Sequence, residues 1–326
     1  MRYMKLGRTG LRISRMVLGT MQMGWIVDEE GSHKILDAAL EAGIMTIDTA
    51  DIYSKWADKS HPGKSEEIVG RWIQDRGVRD DLVLATKVRG EMSGKTNDVG
   101  LSRRHILDSA DRSLNRLQTE WIDLYQSHWF DDEVPQEETL NAFTKLVDDG
   151  VVHYVGASNF TAAELMESFW ISDRYGLVRY ESLQPPYSLA RRRDFEKHLE
   201  PVIRRYNLGV ISYSPLGGGF LTGRYTRENA PESERAETIQ TRYAKERNFG
   251  IVDTLKEIAS NSDASIVQIA LAWVLSRNTI TAPIIGVNSV EQLNENLGAL
   301  EISISDDDLN RLNTASDWEE MDFLAR

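Results

Sequence analysis

The sequence predicts an α/β fold, a (β/α)8 TIM barrel preceded by an N-terminal hairpin and carrying a long loop after strand 7. Three observations predict it. Eight short apolar, β-branched runs alternate with helical patterns, the signature of a parallel sheet crossed by helices. The rival with the same alternation is the open doubly wound sheet, but no Gly-x-Gly-x-x-Gly follows the first strand. No shift in composition divides the chain, so its 326 residues read as a single domain, 1–326.

The elements follow in order. Leu6–Met16, with Gly7 and Gly10, reads as a hairpin leading into the barrel. Strands are predicted at Met16–Gly19, Met45–Thr49, Leu82–Val88, Ile122–His128, Val152–Ser158, Ser182–Pro185, Gly209–Ser214 and Ala282–Val287. Between them, Ser32–Ala42 places Ile35, Leu36, Ala39 and Leu40 on one helical face, with Gly43 as its stop. Ser102–Leu117 starts on a capping serine and carries Ile106, Ala110, Leu114 and Leu117. Pro135–Val147 carries Leu140, Phe143, Leu146 and Val147 and ends near Gly150. Arg224–Asn248 is polar, charged and poor in large aliphatics. As the loop leaving strand 7 it emerges on the face where barrel active sites lie, and it reads either as a lid or as a mobile insertion.

Composition narrows the partners. Fifty-one acidic residues against 38 Lys and Arg give a formal net charge of −13, which argues against nucleic acid or an anionic membrane surface. Cysteine is absent, so a zinc site would need His and carboxylates alone. His33, His61, His105, His153 and His198 show no ligand spacing, and no metal is expected. Met1–Gly10 lacks the apolar core of a signal peptide and no stretch approaches a transmembrane helix, so the cytoplasm is the expected location. Arg191-Arg192-Arg193 reads as a solvated helix start, and oligomeric state stays open.

The informative residues are polar ones in apolar strands. Asp48 follows Ile44–Ile47, Lys87 sits near the end of Leu82–Val88, His128 closes the fourth strand, and Gln184 lies within the sixth; Tyr53 follows Asp48 in the loop. A buried lysine needs a counter-ion, and strands two and three are neighbours, so Asp48 is the expected partner of Lys87. Positive charge favours a phenolate, so Lys87 is expected to lower the pKa of Tyr53 toward that of a working proton donor. His128 is placed to hydrogen-bond the oxygen that receives the proton. Singly, each has a plain structural reading, as strand-end cap, loop aromatic or core histidine.

At these residues the sequence resembles the aldo-keto reductase superfamily, over nearly its whole length. The resemblance rests on Leu18-Gly19-Thr20, on Ile47–Tyr53 followed by Ser65–Gly70, and on Thr86-Lys87 and Asp123–His128. It continues through Val155–Phe160, Ser212–Gly219 and Glu291–Gly298. It is closest to the branch holding many bacterial reductases and potassium-channel β subunits. It implies that Asp48, Tyr53, Lys87 and His128 are a catalytic tetrad with Tyr53 as general acid. It implies a cofactor site at Gly19, Thr20, Met21 and Asp48. Ser158, Asn159 and Gln184 would lie on the nicotinamide carboxamide, Tyr213 on its ring, and Ser214, Leu216 and Gly218 along the pyrophosphate. Arg224 and Arg242 would clamp phosphates. Gly286, Asn288, Gln292, Glu295 and Asn296 match the adenosine and 2′-phosphate site, where many relatives carry Lys or Arg near its start and this chain has Gly286 and Asn288. NADPH is therefore the expected cofactor, with NADH use open. Trp25 and Trp129, with Tyr53 and His128, are the candidate substrate contacts; Trp56 and Phe130 lie close by. The flanking aromatics read equally as a substrate wall or as rim packing.

The implied function is NADPH-dependent reduction of a small-molecule carbonyl compound, an aldehyde with ketones left open, to an alcohol. The alternative is a nucleotide-binding redox sensor or regulatory scaffold with slow turnover. A metal-free barrel hydrolase leaves the Asp–Tyr–Lys set unexplained.

Overall fold

A computed structural model describes residues 1–58 and 60–318. The chain opens with an antiparallel pair, β1 (Tyr3–Lys5) and β2 (Arg12–Ser14). The hairpin thus begins at Tyr3 rather than at Leu6, and the Leu6–Leu11 stretch is its turn. Leu6 and Ile13 are fully buried and pack with Val17, Leu124, Ile211 and Ile284, so the hairpin closes the N-terminal end of the barrel. Gly7 sits at φ 54, and any side chain there would collide with the backbone of 207–209.

Eight parallel strands then close a barrel in sequence order: β3 (Val17–Gly19), β4 (Thr46–Asp48), β5 (Val83–Val88), β6 (Ile122–Ser127), β7 (Val152–Ser158), β8 (Ser182–Gln184), β9 (Gly209–Ser212) and β10 (Ala282–Gly286), the last pairing with β3. Each lies within a residue or two of its expected span. Around them run α1 (Glu29–Glu41), α2 (Lys64–Arg76), α3 (Arg103–Leu117), α4 (Gln136–Asp148), α5 (Ala162–Tyr175), α6 (Glu200–Tyr206), α7 (Ala236–Tyr243), α8 (Glu246–Ser260), α9 (Ile266–Leu275), α10 (Val290–Gly298) and α11 (Asp306–Ala315). Local chemistry sets their ends. Ser102 accepts from His105 N at the start of α3, and capping boxes Thr161–Glu164 and Ser265–Gln268 open α5 and α9. Such caps contribute about 1 kcal/mol each.

Strand alternation divides the core in two. On β5, Val83 and Ala85 join the apolar cluster inside the barrel, whereas Leu84 and Val88 pack outward under the helices. The same alternation carries Lys87 inward, at the C-terminal end.

The segment Arg224–Asn248 contains α7 and the first turn of α8, and Arg227 bonds Glu246 and Asp253 at 2.6 and 3.0 Å. One expectation needs correction. Arg191–Arg193 is not a fully solvated helix start. Arg192 is 9% exposed and bonded to Glu196, Ser316 and the carbonyl of Asn313, anchoring the C-terminal helix. No helix among the described residues is long and apolar enough to cross a membrane.

Candidate active site

The C-terminal end of the barrel interior is polar. Lys87 is fully buried, and its ammonium donates to Asp48 Oδ1 (2.5 Å), the carbonyl of Thr49 (2.7 Å) and the hydroxyl of Tyr53 (3.1 Å). All three of its protons are used. The other oxygen of Asp48 accepts from Gln184 Nε2 at 2.8 Å and Gln126 Nε2 at 3.3 Å. Asp48 is thus the partner of Lys87, as expected. The buried pair is tolerated because every charged atom has its hydrogen bonds.

Tyr53 comes from the loop after β4, and the next residue fixes it. Ser54 adopts φ 72 and its hydroxyl donates to Met23 O at 2.7 Å, tying that loop to the one after β3. His128 follows the end of β6 in the inward register of Leu124 and Gln126. Its backbone N–H donates to Val88 O and its carbonyl accepts from Asn159 Nδ2 at 3.0 Å. The Tyr53 and His128 rings meet edge to face at 6.0 Å between centroids, and Trp129 stacks on His128 at 3.8 Å. Asp48, Tyr53, Lys87 and His128 therefore converge on one spot.

Burial and charge set their protonation. Burial pushes the Tyr53 phenol above its ordinary value; Lys87 pulls it down but does not prevail, and Asp48 adds to the rise. The expectation that Lys87 leaves the phenol below its usual range is thereby corrected: desolvation of the phenolate outweighs one cation already engaged by a carboxylate. For Lys87 burial opposes the charge, yet Asp48 and Tyr53 together lift it above the usual amine range. Burial, then Lys87 and Arg89, hold His128 well below the usual imidazole range, so its ring is neutral. Its buried Nδ1 has no partner among the described residues. The arrangement is a neutral phenol beside an ammonium, facing a neutral imidazole.

A second polar group flanks it. Ser158 Oγ donates to Gln184 O at 2.9 Å, Asn159 Nδ2 reaches Ser158 Oγ at 3.0 Å, and the Tyr213 hydroxyl donates to Asn159 Oδ1 at 2.8 Å. Gly19 is paired with both Asp48 and Gly286, and Thr20 is buried with its hydroxyl on Asp48 O; Met21 is half-buried beside them. Beyond Tyr213, Ser214 turns at φ 54, Leu216 is half-buried, and Gly217, Gly218 and Gly219 follow at φ 58, 69 and 106. These are conformations that suit glycine. A Cβ at Gly218 would lie 3.5 Å from Arg235 Nη2, and one at Gly219 3.9 Å from Arg224 Nη2, so two guanidinium groups flank the glycine turn. Arg242 is exposed on α7, and its charge reaches Tyr213. At the far end Asn288 N donates to Gln292 Oε1 at 2.9 Å. Gly286 and Glu295 are exposed and Asn296 is buried.

The aromatics form one continuous patch at the mouth. Trp25 meets Trp56 edge to face at 5.7 Å and Trp56 meets Tyr53 at 6.1 Å; Trp56 and Trp129 are 45% and 38% exposed. Phe130 instead packs on Phe160, as rim filling. Trp25 also donates its indole N–H to Glu234 at 2.6 Å, so segment 224–248 reaches across to the loop after β3.

Three residues were missing from the sequence reading. Gln126 lies two positions before His128, so strand alternation was signal enough to find it. Glu234 and Arg235 had no local signal. Arg235 is largely desolvated, which pushes its guanidinium below the usual range, and it has no ion pair among the described residues.

The chain is similar to known proteins over nearly its whole length. The model of the aldo/keto reductase family matches residues 15–317. An uncharacterized oxidoreductase of Bacillus subtilis, YrpG, is 39% identical over 320 residues, covering 96% of this chain and 95% of its own. A probable voltage-gated potassium channel subunit beta of Oryza sativa is 33% identical, covering 93% and 92%. The protein tas of Escherichia coli is 32% identical, covering 94% and 95%.

Proposed function

The chain belongs to the aldo/keto reductase family, and on that premise we propose that it is an NADPH-dependent oxidoreductase reducing aldehydes, with ketones a second substrate class, to alcohols. The observation that carries this reading is the hydrogen-bonded line Asp48–Lys87–Tyr53 ending beside a neutral His128. When bound, the reduced nicotinamide supplies a hydride to the carbonyl carbon. Tyr53 holds its proton, because its pKa is raised, and gives it to the carbonyl oxygen. Lys87, 3.1 Å away, stabilises the phenolate left behind, and Asp48 keeps Lys87 charged and in place. His128 offers the same oxygen a hydrogen bond and orients it. General-acid action of this kind is worth about 10²–10⁴ in rate.

The residues present fit a dinucleotide. A three-glycine turn flanked by the guanidinium groups of Arg224 and Arg235 suits a pyrophosphate. Gly19, Thr20 and Met21 would border the ring site. Ser158, Asn159 and Gln184 would take the carboxamide, Tyr213 the ring face, and Ser214, Leu216, Gly218 and Arg242 the phosphates. Gly286, Asn288, Gln292, Glu295 and Asn296 would take the adenosine end. With no Lys or Arg at 286 or 288, the 2′-phosphate would rest on neutral donors near the N-terminus of α10. Trp25 and Trp129 would wall the carbonyl compound, and the reaction would run in the cytoplasm. The test is fluorescence titration with NADPH and NADH, then turnover with an aromatic aldehyde. Tight NADPH binding with steady aldehyde-dependent oxidation is expected; binding of neither nucleotide removes the reading.

One observation favours a second reading, a nucleotide-holding redox sensor. The Trp25–Glu234 bond spans the mouth beside Arg235 and would slow nucleotide exchange. A single slow turnover in the same assay would favour that reading.

A further inference from the structure

Arg89 stands just beyond β5, two positions after Lys87, with its backbone at φ 134, where residues other than glycine are seldom found. Its surroundings enforce the strain. The carbonyl of Arg89 accepts from Gly100 N at 3.1 Å, and Gly90 packs so tightly on Ile52 that a Cβ would fall 2.6 Å from the isoleucine's own. Lys55 pins the next stretch through the carbonyl and carboxylate of Glu91 at 2.8 and 2.5 Å. The half-buried guanidinium reaches over the end of β6, where Nε donates to Phe130 O at 3.0 Å. Its two terminal nitrogens have no partner among the described residues. Of the nearby carboxylates, Glu91 is engaged by Lys55 and Asp131 by the backbone N–H groups of Leu101 and Glu133, while Asp51, buried beside Gly90, makes no hydrogen bond to the guanidinium. Arg89 is close enough to His128 for its charge to act on that ring. A planar two-pronged cation is thus left unanswered beside the spot where Tyr53, His128 and Trp129 converge.

We propose that Arg89 is a specificity residue that receives a carboxylate carried by the substrate, so that this chain prefers aldehydes bearing a carboxylate a few atoms from the carbonyl over neutral ones. The inference rests on the reductase reading. A guanidinium fork matches a carboxylate with two parallel hydrogen bonds, which an ammonium or an amide does not reproduce. The acidic surface repels anions at long range, but within a Debye length of the mouth Arg89 supplies the opposite sign. Glycine would suit the backbone better, so an arginine held there in strain points to its side chain.

The experiment compares kcat/KM for two matched pairs, 4-oxobutanoate with butanal and 4-carboxybenzaldehyde with benzaldehyde, in wild type, Arg89→Gln and Arg89→Gly. The glycine variant relieves the backbone strain and so guards against simple misfolding. Wild type should prefer the carboxylate of at least one pair by about tenfold to a hundredfold, and both variants should bring that ratio to near one. A wild-type ratio at or below one in both pairs overturns the proposal. Loss of both members of a pair by the same factor also overturns it, since that marks a structural role. Should NADPH bind without oxidation by any of the four aldehydes, the reductase reading fails and this inference falls with it; turnover of the neutral aldehydes alone overturns only the inference.

Discussion

Replacing Lys87 with Met keeps the length of the side chain and removes its charge, which isolates the buried pair. In the folded protein Asp48 is 2% exposed and has three side-chain donors: the Lys87 ammonium and the amides of Gln126 and Gln184. The variant leaves Asp48 with the two amides and no counter-charge. Breaking a buried pair by removing one partner costs about 3–5 kcal/mol. The surviving amide bonds set the expectation at about 3 kcal/mol, a fall in Tm of about 4–5 °C for a chain of this size. Replacing Asp48 with Asn as well removes the stranded charge, so the double variant should recover most of the loss. The assay is thermal unfolding by circular dichroism of wild type, Lys87→Met, Asp48→Asn and the double variant at neutral pH. Lys87→Met melting within a degree of wild type would refute the pairing. So would a double variant as unstable as the two single losses added together.

Three further perturbations probe other parts of the site. Tyr53→Phe should leave NADPH binding nearly intact while lowering kcat by about a hundredfold or more; unchanged turnover removes Tyr53 as the acid. Asp51, buried against Glu66 and Arg116 with neither carboxylate oxygen bonded to a side chain, is pushed by burial, then by Glu66, from 3.8 up to about 7. The folded protein then binds the extra proton, so stability falls as pH rises from about 4 to 7, by up to about 4 kcal/mol. Asp51→Asn should melt well above wild type at pH 8, by less than half that margin at pH 5, and close to it only below about pH 4; a difference independent of pH contradicts this. Trp25→Phe removes the donor and Glu234→Ala the acceptor of the 2.6 Å bond across the mouth. Either should speed NADPH release about tenfold in stopped-flow fluorescence, and unchanged release dismisses the clasp.

Much of this was legible because polar residues in apolar strands are conspicuous. Asp48, Lys87 and His128 interrupt β-branched runs, and neighbouring parallel strands bring them together. Register was signal enough for Gln126 too, which shares the inward face of β6 with Leu124 and His128, although the sequence reading gave it no role. Depth was not legible. Proximity to Lys87 suggested a lowered Tyr53 pKa, but burial decides the sign, and burial depends on tertiary neighbours such as Trp56 and His128 packing on the ring. Contacts made by the 224–248 segment were also out of reach: Trp25 and Glu234 are 209 positions apart, and nothing local marks Arg235 among the arginines of that stretch. Arg192 was misread for the same reason, because its partners Ser316 and Asn313 belong to the far end of the chain.

The most direct test of the central claim follows the hydride itself. The protein is mixed with NADPH carrying deuterium at the transferable position of its nicotinamide and with an aldehyde it turns over, and the alcohol is weighed by mass spectrometry. The account predicts an alcohol one mass unit heavier, formed over many turnovers and suppressed in Tyr53→Phe. An alcohol without deuterium, or no alcohol from a protein that binds the nucleotide, would contradict it.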